Sequence, residues 1–177
     1  WGSLLLANPT NGGIYVLDPS SGVTGNPATL VAAAPTANSM FIAMPERQVV
    51  ALQAGGDPLL IKWSDINDYT NWTPAVTNQA GSYRLPRGSQ VVGGLQGPQM
   101  GLIWTDLDLW AMQYLNQPLI YGFTQIASGC GLISARAMGV LGGVVYWMSH
   151  NNFFEYGGSV QPIPCTVWDK IFYNLNE

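Results

Sequence analysis

Three segments centred on tryptophan recur along the chain, and this repeat constrains the fold more than any other feature. Their leading tryptophans are Trp63, Trp104 and Trp147, which follow one another at intervals of 41 and 43 residues. Four short antiparallel strands and their turns occupy roughly 40 to 50 residues in one blade of a β-propeller. The repeat therefore predicts a series of similar four-stranded units.

Each repeat has the pattern of a hairpin preceded by a strand. A short polar cluster follows the tryptophan, with Asp65 in the first repeat, Asp106 in the second and residues 149–151 in the third, and an alternation of aromatic and apolar residues comes next. Before each hairpin lies an apolar stretch interrupted by glycine, where Gly142 and Gly143 can supply the positive φ that tight turns need. We therefore predict an all-β, propeller-like array of about three to four antiparallel blades, which is a partial propeller.

The two ends of the chain depart from the repeat. Residues 1–47 are expected to form a degenerate first blade and a connecting segment, and residues 48–177 the propeller-like blades with a terminal helix. Thr166 is positioned to cap that short helix, which is expected over residues 167–175. Because the chain lacks an initiator methionine, we expect it to be a piece of a longer protein.

Charge and composition narrow the function classes. Only 9% of the residues are charged, against ~25% in a typical domain, while 21 glycines and 12 prolines suit short strands joined by tight turns. The net charge of −4 argues against a surface built to neutralise phosphates. No apolar stretch approaches the ~20 residues that a membrane helix needs, and the first residues do not have the pattern of a signal peptide. We expect no membrane anchor.

The two cysteines favour free thiols. Cys130 and Cys165 are too few and too far apart for a disulfide scaffold or a zinc site. A buried pair of free thiols is favoured, because free cysteine packs as a small hydrophobic residue, and a single bridge is the alternative. We expect no cofactor and no metal.

The candidate catalytic residues have a simpler structural interpretation. Four aspartates follow the tryptophans of two repeats and could be paired carboxylates or calcium ligands; they are Asp65, Asp68, Asp106 and Asp108. In turns, however, such side chains accept hydrogen bonds from nearby amides, and we expect that role. His150 is the only histidine and lies in a predicted turn, and Cys130 lacks the surroundings of a nucleophile elbow. The sequence therefore predicts no enzyme.

Three basic residues are candidates for contact with DNA or with a neighbouring subunit. Arg84 and Arg87 flank Pro86, and Lys62 lies in the first repeat. Two or three charges neutralise too few phosphates to hold DNA, so ion pairs at a subunit contact are favoured.

Several ordered motifs over about residues 48–176 resemble one protein family. They are GDPLLIKWSDINDYTNWTPAVTNQAGSYRL (56–85), LIWTDLDLWAMQY (102–114), YGFTQIASGCGLI (121–133), VYWMSHNNFFEYGG (145–158) and VQPIPCTVWDKIF (160–172). In this order the motifs resemble the tail tubular, or nozzle, proteins of tailed bacteriophages and the related tail-hub proteins that stabilise packaged DNA.

The resemblance implies a noncatalytic structural subunit of the phage tail. Members of the family contain a propeller, assemble as a ring of identical subunits below the portal, and contact the portal or adaptor and other tail proteins. The ring forms part of the conduit through which packaged DNA passes without specific binding, and it helps to retain and eject the genome. The resemblance also implies assembly in the bacterial host cytoplasm and a place in the virion.

Two other function classes predict different structural features. A carbohydrate-binding β-propeller, the principal alternative, would expose Trp72, Trp110 and Trp168 in a shared groove. A glycosidase or sialidase-like enzyme would need convergent carboxylates in a pocket, at least one with a raised pKa.

Overall fold

The computed structural model describes residues 1–97 and 100–175, and in these residues the chain is almost entirely β. Within the described residues, fifteen strands form four antiparallel sheets, and one short α-helix follows them. The chain divides into two compact units, Trp1–Pro86 and Arg87–Glu177. The prediction of an all-β chain made of antiparallel, blade-like sheets is confirmed.

The first unit contains two sheets. Sheet 1 has three strands: β1 (Leu5–Ala7), β2 (Tyr15–Leu17) and β3 (Thr29–Leu30). Sheet 2 has four strands: β4 (Met40–Met44), β5 (Gln48–Leu52), β6 (Leu60–Trp63) and β7 (Gly81–Arg84). Short 3₁₀ helices occupy Pro19–Ser21 and Ala54–Gly56. Each strand pairs with the next along the chain, so both sheets are meanders.

The second unit repeats this plan with two four-stranded meanders. Sheet 3 consists of β8 (Val91–Gln96), β9 (Gly101–Thr105), β10 (Asp108–Asn116) and β11 (Ile120–Ser128). Sheet 4 consists of β12 (Met138–Leu141), β13 (Val144–Met148), β14 (Phe153–Tyr156) and β15 (Val160–Ile163). The β12–β13 turn has the predicted glycine pair, with φ of 59° at Gly142 and 82° at Gly143.

Two inner strands that consist mostly of apolar residues are buried on both faces. All five residues of β5 and all five of β9 are buried, as expected for short strands without alternation. In the first unit one core cluster contains Val49 of sheet 2, and Val16 of sheet 1 packs against it. In the second unit a cluster that includes Trp104, Leu109 and Trp147 joins sheets 3 and 4. Each unit therefore depends on one sheet covering the next.

The predicted equivalence of the three tryptophans fails for Trp63. Trp104 in β9 and Trp147 in β13 each lie in the second strand of a sheet, whereas Trp63 lies in β6, the third strand of sheet 2. The loop over residues 64–80 lengthens the stretch of chain that forms sheet 2. It lies between Trp63 and Trp104, so these two tryptophans are 41 residues apart although one is in a third strand and the other in a second strand. Asp65 and Asp106 consequently follow different strands and are not equivalent either.

The predicted boundary between residues 47 and 48 is also wrong. β4 and β5 pair over their full length, from Met40 opposite Leu52 to Met44 opposite Gln48. A boundary there would divide a single hairpin. The structure instead divides after Pro86.

The terminal helix is present but shorter than predicted. It is α1 (Trp168–Phe172), and Val167 occupies the N-cap without a side-chain hydrogen bond, so Thr166 lies outside the cap position. The helix packs on sheet 4, with the Phe172 and Phe153 ring centroids 5.3 Å apart. In the part of the chain that the structure describes, no helix has the length and apolar character needed to span a membrane.

The connection between sheets 3 and 4 is tied to both. The amides of Cys130 and Gly131 donate to the carbonyl of Leu107 in the β9–β10 turn, both at 3.1 Å. Further on, the amide of Ile133 donates to the carbonyl of Met148 in β13 at 3.1 Å. A side chain at Gly131 would collide with the backbone carbonyl of Asp106.

We expect Gly131→Ala to lower the free energy of unfolding by more than about 2 kcal/mol, because the β9–β10 turn or the connection must move to make room. The matched control is Gly139→Ala in β12, where an added Cβ meets nothing within 4 Å; its effect should stay within about 0.5 kcal/mol. Urea denaturation of both variants measures the difference. Equal midpoints for the two variants would contradict this account of the connection.

Candidate functional site

Trp104 and Trp147 form the aromatic centre between sheets 3 and 4. Their rings meet edge to face with centroids 5.4 Å apart, and Trp147 stacks on Phe154 at 5.6 Å. Aromatic pairs of this kind contribute about 0.5–1.5 kcal/mol beyond the burial of their area. The indole Nε1 of Trp147 donates to the carbonyl of Cys130 at 2.7 Å, which satisfies a buried polar group. Both tryptophans therefore fill the core and are not presented to a ligand.

Trp63 belongs to a buried polar network in the first unit. Its indole lies against Gly81, its partner across the β6–β7 pairing, and its Nε1 donates to the carbonyl of Gln79 at 2.9 Å. The buried Gln48 side chain donates to that carbonyl at 3.2 Å and to the carbonyl of Ser64 at 2.7 Å. This network anchors both ends of the loop between β6 and β7.

Asp65 closes the same loop. Its Oδ1 accepts hydrogen bonds from the amides of Ile66 and Gln79, each at 2.8 Å. The second bond joins residues that are 14 apart in the chain. The aspartate therefore fixes a long loop, in keeping with the structural role expected from the sequence.

Asp106 has a similar role in the second unit. Its carboxylate accepts hydrogen bonds from the Ser89 amide at 2.8 Å, the Ser89 hydroxyl at 2.6 Å and the Gln90 amide at 3.3 Å. Partial burial acts to raise the pKa of Asp106, but these hydrogen bonds outweigh it and hold the pKa below its usual value. Asp106 thus attaches the segment before β8 to the β9–β10 turn in its charged form.

Asp108 and Arg87 form an ion pair that sequence reasoning missed. The Nε of Arg87 lies 3.0 Å from Oδ2 of Asp108, and the Asp108 side chain is fully buried while 57% of the Arg87 side chain is exposed. The Nε–H is not directed at the oxygen, so neither carboxylate oxygen of Asp108 accepts a hydrogen bond from a described residue. The guanidinium is therefore the compensating charge for a buried carboxylate. In the sequence, the pair is indicated only by the position of Arg87, a basic residue four residues before the apolar strand β8.

Arg84 and Lys62 lie in the first unit, on neighbouring strands. Arg84 forms an exposed ion pair with Asp57, with 3.0 Å between Nε and Oδ2. The amide of Leu59 and the guanidinium of Arg84 both hydrogen-bond to Asp57 and hold its pKa below the usual value. Lys62 pairs with Ser82 across β6 and β7 and is half-buried. Arg84 and Arg87, the two arginines that the sequence analysis selected, thus each form an ion pair with a carboxylate in their own unit.

The candidate nucleophiles do not form a reactive group. Cys130 and Cys165 are both free thiols, the first buried and the second half-buried. Burial raises the pKa of the Cys130 thiol to about 11, which disfavours the thiolate needed for attack. Within residues 1–97 and 100–175, no three side chains of histidine, cysteine, aspartate or glutamate are grouped to hold a metal ion.

Trp72, Trp110 and Trp168 do not form the exposed groove that a carbohydrate-binding protein would need. Trp72 is 0% and Trp110 only 5% exposed. Trp168 is half-buried on α1, and its Nε1 donates to the carbonyl of Asn151 at 2.7 Å. Trp72 and Trp110 are therefore unavailable for stacking on a sugar.

Comparison with known proteins gives no family assignment: no protein-family model matches the chain, and no curated protein matches it significantly.

We expect Arg87→Gln to destabilise the protein by about 2 kcal/mol, because it leaves the buried carboxylate of Asp108 without a compensating charge. Arg84→Gln is the matched control, since it breaks an exposed pair of the same length and should cost less than about 1 kcal/mol. Thermal and urea unfolding of both variants measure the two effects. If the arginines prove equal, the Arg87–Asp108 pair does not have the structural role assigned to it.

Asp106 should make stability depend on pH. Because its pKa is lowered by folding, its contribution is present above the unfolded pKa of about 4 and is lost as pH falls through the lower folded value. Asp106→Asn should therefore cost about 1 kcal/mol at pH 7, and the difference from the unmodified protein should shrink below pH 4. Asp169→Asn, which changes an exposed carboxylate on α1, provides the control in urea unfolding from pH 7 to pH 3. A gap for Asp106→Asn that stays constant over this range would refute the assignment.

Proposed function

We propose that the chain is a noncatalytic structural subunit of a phage tail, part of a nozzle or hub below the portal. Identical copies form a ring that contacts the portal or adaptor and other tail proteins. The ring contributes to the DNA conduit and helps to retain and eject the genome, and packaged DNA passes through it without specific binding. In this proposal the protein assembles in the host cytoplasm and resides in the virion.

The observation that carries the proposal is the arrangement of the sheets. Each four-stranded sheet is a meander built from one continuous stretch of chain, as in a propeller blade. Within each unit, consecutive sheets share one core. This arrangement agrees with the fold that the resemblance to nozzle and hub proteins implies. Five of the seven tryptophans are buried, which suits a rigid building block.

Charge supports a conduit that does not grip DNA. The chain carries a net charge of −4, and a ring of copies multiplies that charge around its lumen. An acidic lumen repels the phosphate backbone, so DNA slides without sticking. The two arginines that could bind phosphates are matched by Asp57 and Asp108 within the chain. A lumen lined by Arg84, Arg87 and Lys62 would contradict this part of the proposal.

We expect the purified full-length protein to form rings with a central channel, because a ring of identical subunits is what the proposed role requires. Cryo-electron imaging shows the ring and its symmetry, and mass measurement in solution gives the number of subunits. Asp169→Asn, a single change at an exposed residue of α1, serves as the control preparation and should assemble in the same way.

Two results would count against the proposal. A protein that stays monomeric at high concentration, both alone and with purified portal or adaptor, would refute assembly as a ring. Saturable binding to a glycan array that is lost on substitution of a surface aromatic residue would favour the carbohydrate-binding alternative.

A further inference from the structure

Sheet 4 is apolar on both of its faces, and only one face packs against sheet 3. Trp147 of β13 and Phe154 of β14 point towards the core that the two sheets share. Successive residues of a strand point to opposite faces, so the residues next to these two point away from sheet 3. We call this second surface the outer face; it is formed by Tyr146, Met148, Phe153 and Ile163, which are half-buried and border a groove of about 390 Å³.

The helix α1 lies against the outer face. The Phe172 ring meets the Phe153 ring with centroids 5.3 Å apart, and the Trp168 ring lies 5.5 Å from that of Phe172. The Nε1 of Trp168 also donates to the carbonyl of Asn151, in the β13–β14 turn, at 2.7 Å. These contacts attach the helix to the two central strands of the sheet.

The two sides of α1 differ in character. Trp168, Ile171 and Phe172, at the spacing of one helix face, are half-buried, whereas Asp169 and Lys170 are exposed. The helix therefore covers part of an apolar surface and presents charged side chains to water in its place.

The helix depends on this contact for its own stability. It has five residues, none of them fully buried, and Val167 at its N-cap makes no side-chain hydrogen bond. Isolated helices shorter than about 12–15 residues are marginal in water, so α1 is helical because it is docked. Segments with few buried contacts open locally at a much lower free energy than core strands. Undocking of α1 should therefore not require sheet 4 to unfold.

We infer that α1 is a detachable cover on the outer face of sheet 4. Docked, it prevents the subunit from associating through this face; undocked, it leaves the face open. An uncovered apolar patch of this kind promotes association, and stacked repeats need a polar surface at their ends to stay soluble. The inference goes beyond the proposed function and does not depend on it.

Undocking variants test the cover. Trp168→Ser removes the hydrogen bond to Asn151 and the ring contact with Phe172, and it should lower the concentration needed for self-association about tenfold or more. Lys170→Ser is the matched control, because it places the same residue in the same helix at an exposed position. Sedimentation over a range of concentrations compares both variants with the unmodified protein.

A second substitution tests whether the association uses the outer face. Tyr146→Lys puts a charge on this face opposite Glu155, its partner across the β13–β14 pairing, where opposite charges are favourable. Added to Trp168→Ser, it should return self-association to the level of the unmodified protein, because an interface there would have to bury the new charge.

Hydrogen exchange of the unmodified protein tests whether the cover opens, and it does not depend on the folding of any variant. The amides of Lys170 and Ile171 should exchange about a hundredfold or more faster than those of β13, because only α1 has to undock. Equal exchange rates would mean that the helix leaves only when sheet 4 unfolds, which would overturn the inference.

The remaining outcomes are equally distinct. Stronger association of Trp168→Ser alone, reversed by Tyr146→Lys, supports the cover. The inference is wrong if Trp168→Ser keeps its strand amides protected and associates no more than Lys170→Ser, or if Tyr146→Lys leaves the association unchanged. None of these results decides whether the unmodified protein forms rings, so the proposed function stands or fails separately.

Discussion

A four-stranded meander of this size cannot bury both of its faces, and this constraint shapes the rest of the molecule. β9 in sheet 3 is buried along its whole length, yet its own sheet can cover only its edges. The edge-to-face contact of Trp104 with Trp147 shows how the problem is solved, because each ring comes from a different sheet. As in other repeat architectures, stability depends on neighbouring units stacked on one another.

Sheet stacking leaves turns at the ends of the strands, and the polar residues of the chain serve mainly to hold those turns. Asp65 and Asp106 each bind amides far away in the sequence, and Gln48 supports a loop from inside the core. Only 9% of the residues are charged, and several of the few carboxylates bind the amides of turns and loops. A carboxylate that binds amides satisfies backbone groups that a turn would otherwise leave without partners. The candidate site is therefore an arrangement of packing and turn contacts.

Much of the fold could be predicted from the sequence because its signals are local. Glycine pairs mark tight turns, unbroken apolar runs mark buried strands, and Trp104 and Trp147 mark equivalent strands at a true repeat of 43 residues. The position of Trp63 could not be predicted, because loop length changes the spacing without changing the local pattern. The ion pair of Arg87 with Asp108 could not be predicted either, because the two residues are 21 apart in the chain and the burial of Asp108 arises only in the folded protein. The short extent of α1 reflects a helix that begins after Thr166 and is held by aromatic contacts with sheet 4 rather than by a cap.

The strictly sequential pairing of the strands also has a consequence for how the protein reaches its native state. Every strand in the four sheets pairs with a strand that is adjacent in the chain, so the backbone ladders have low contact order for an all-β protein. Proteins dominated by such local pairings fold faster than sandwiches with long crossovers, because less loop-closure entropy must be lost before a contact forms. Each sheet can complete its ladder as it leaves the ribosome, before the next has been synthesised. The order of synthesis and the order of stacking are then the same, which limits the time during which an unpaired strand edge is exposed to other chains.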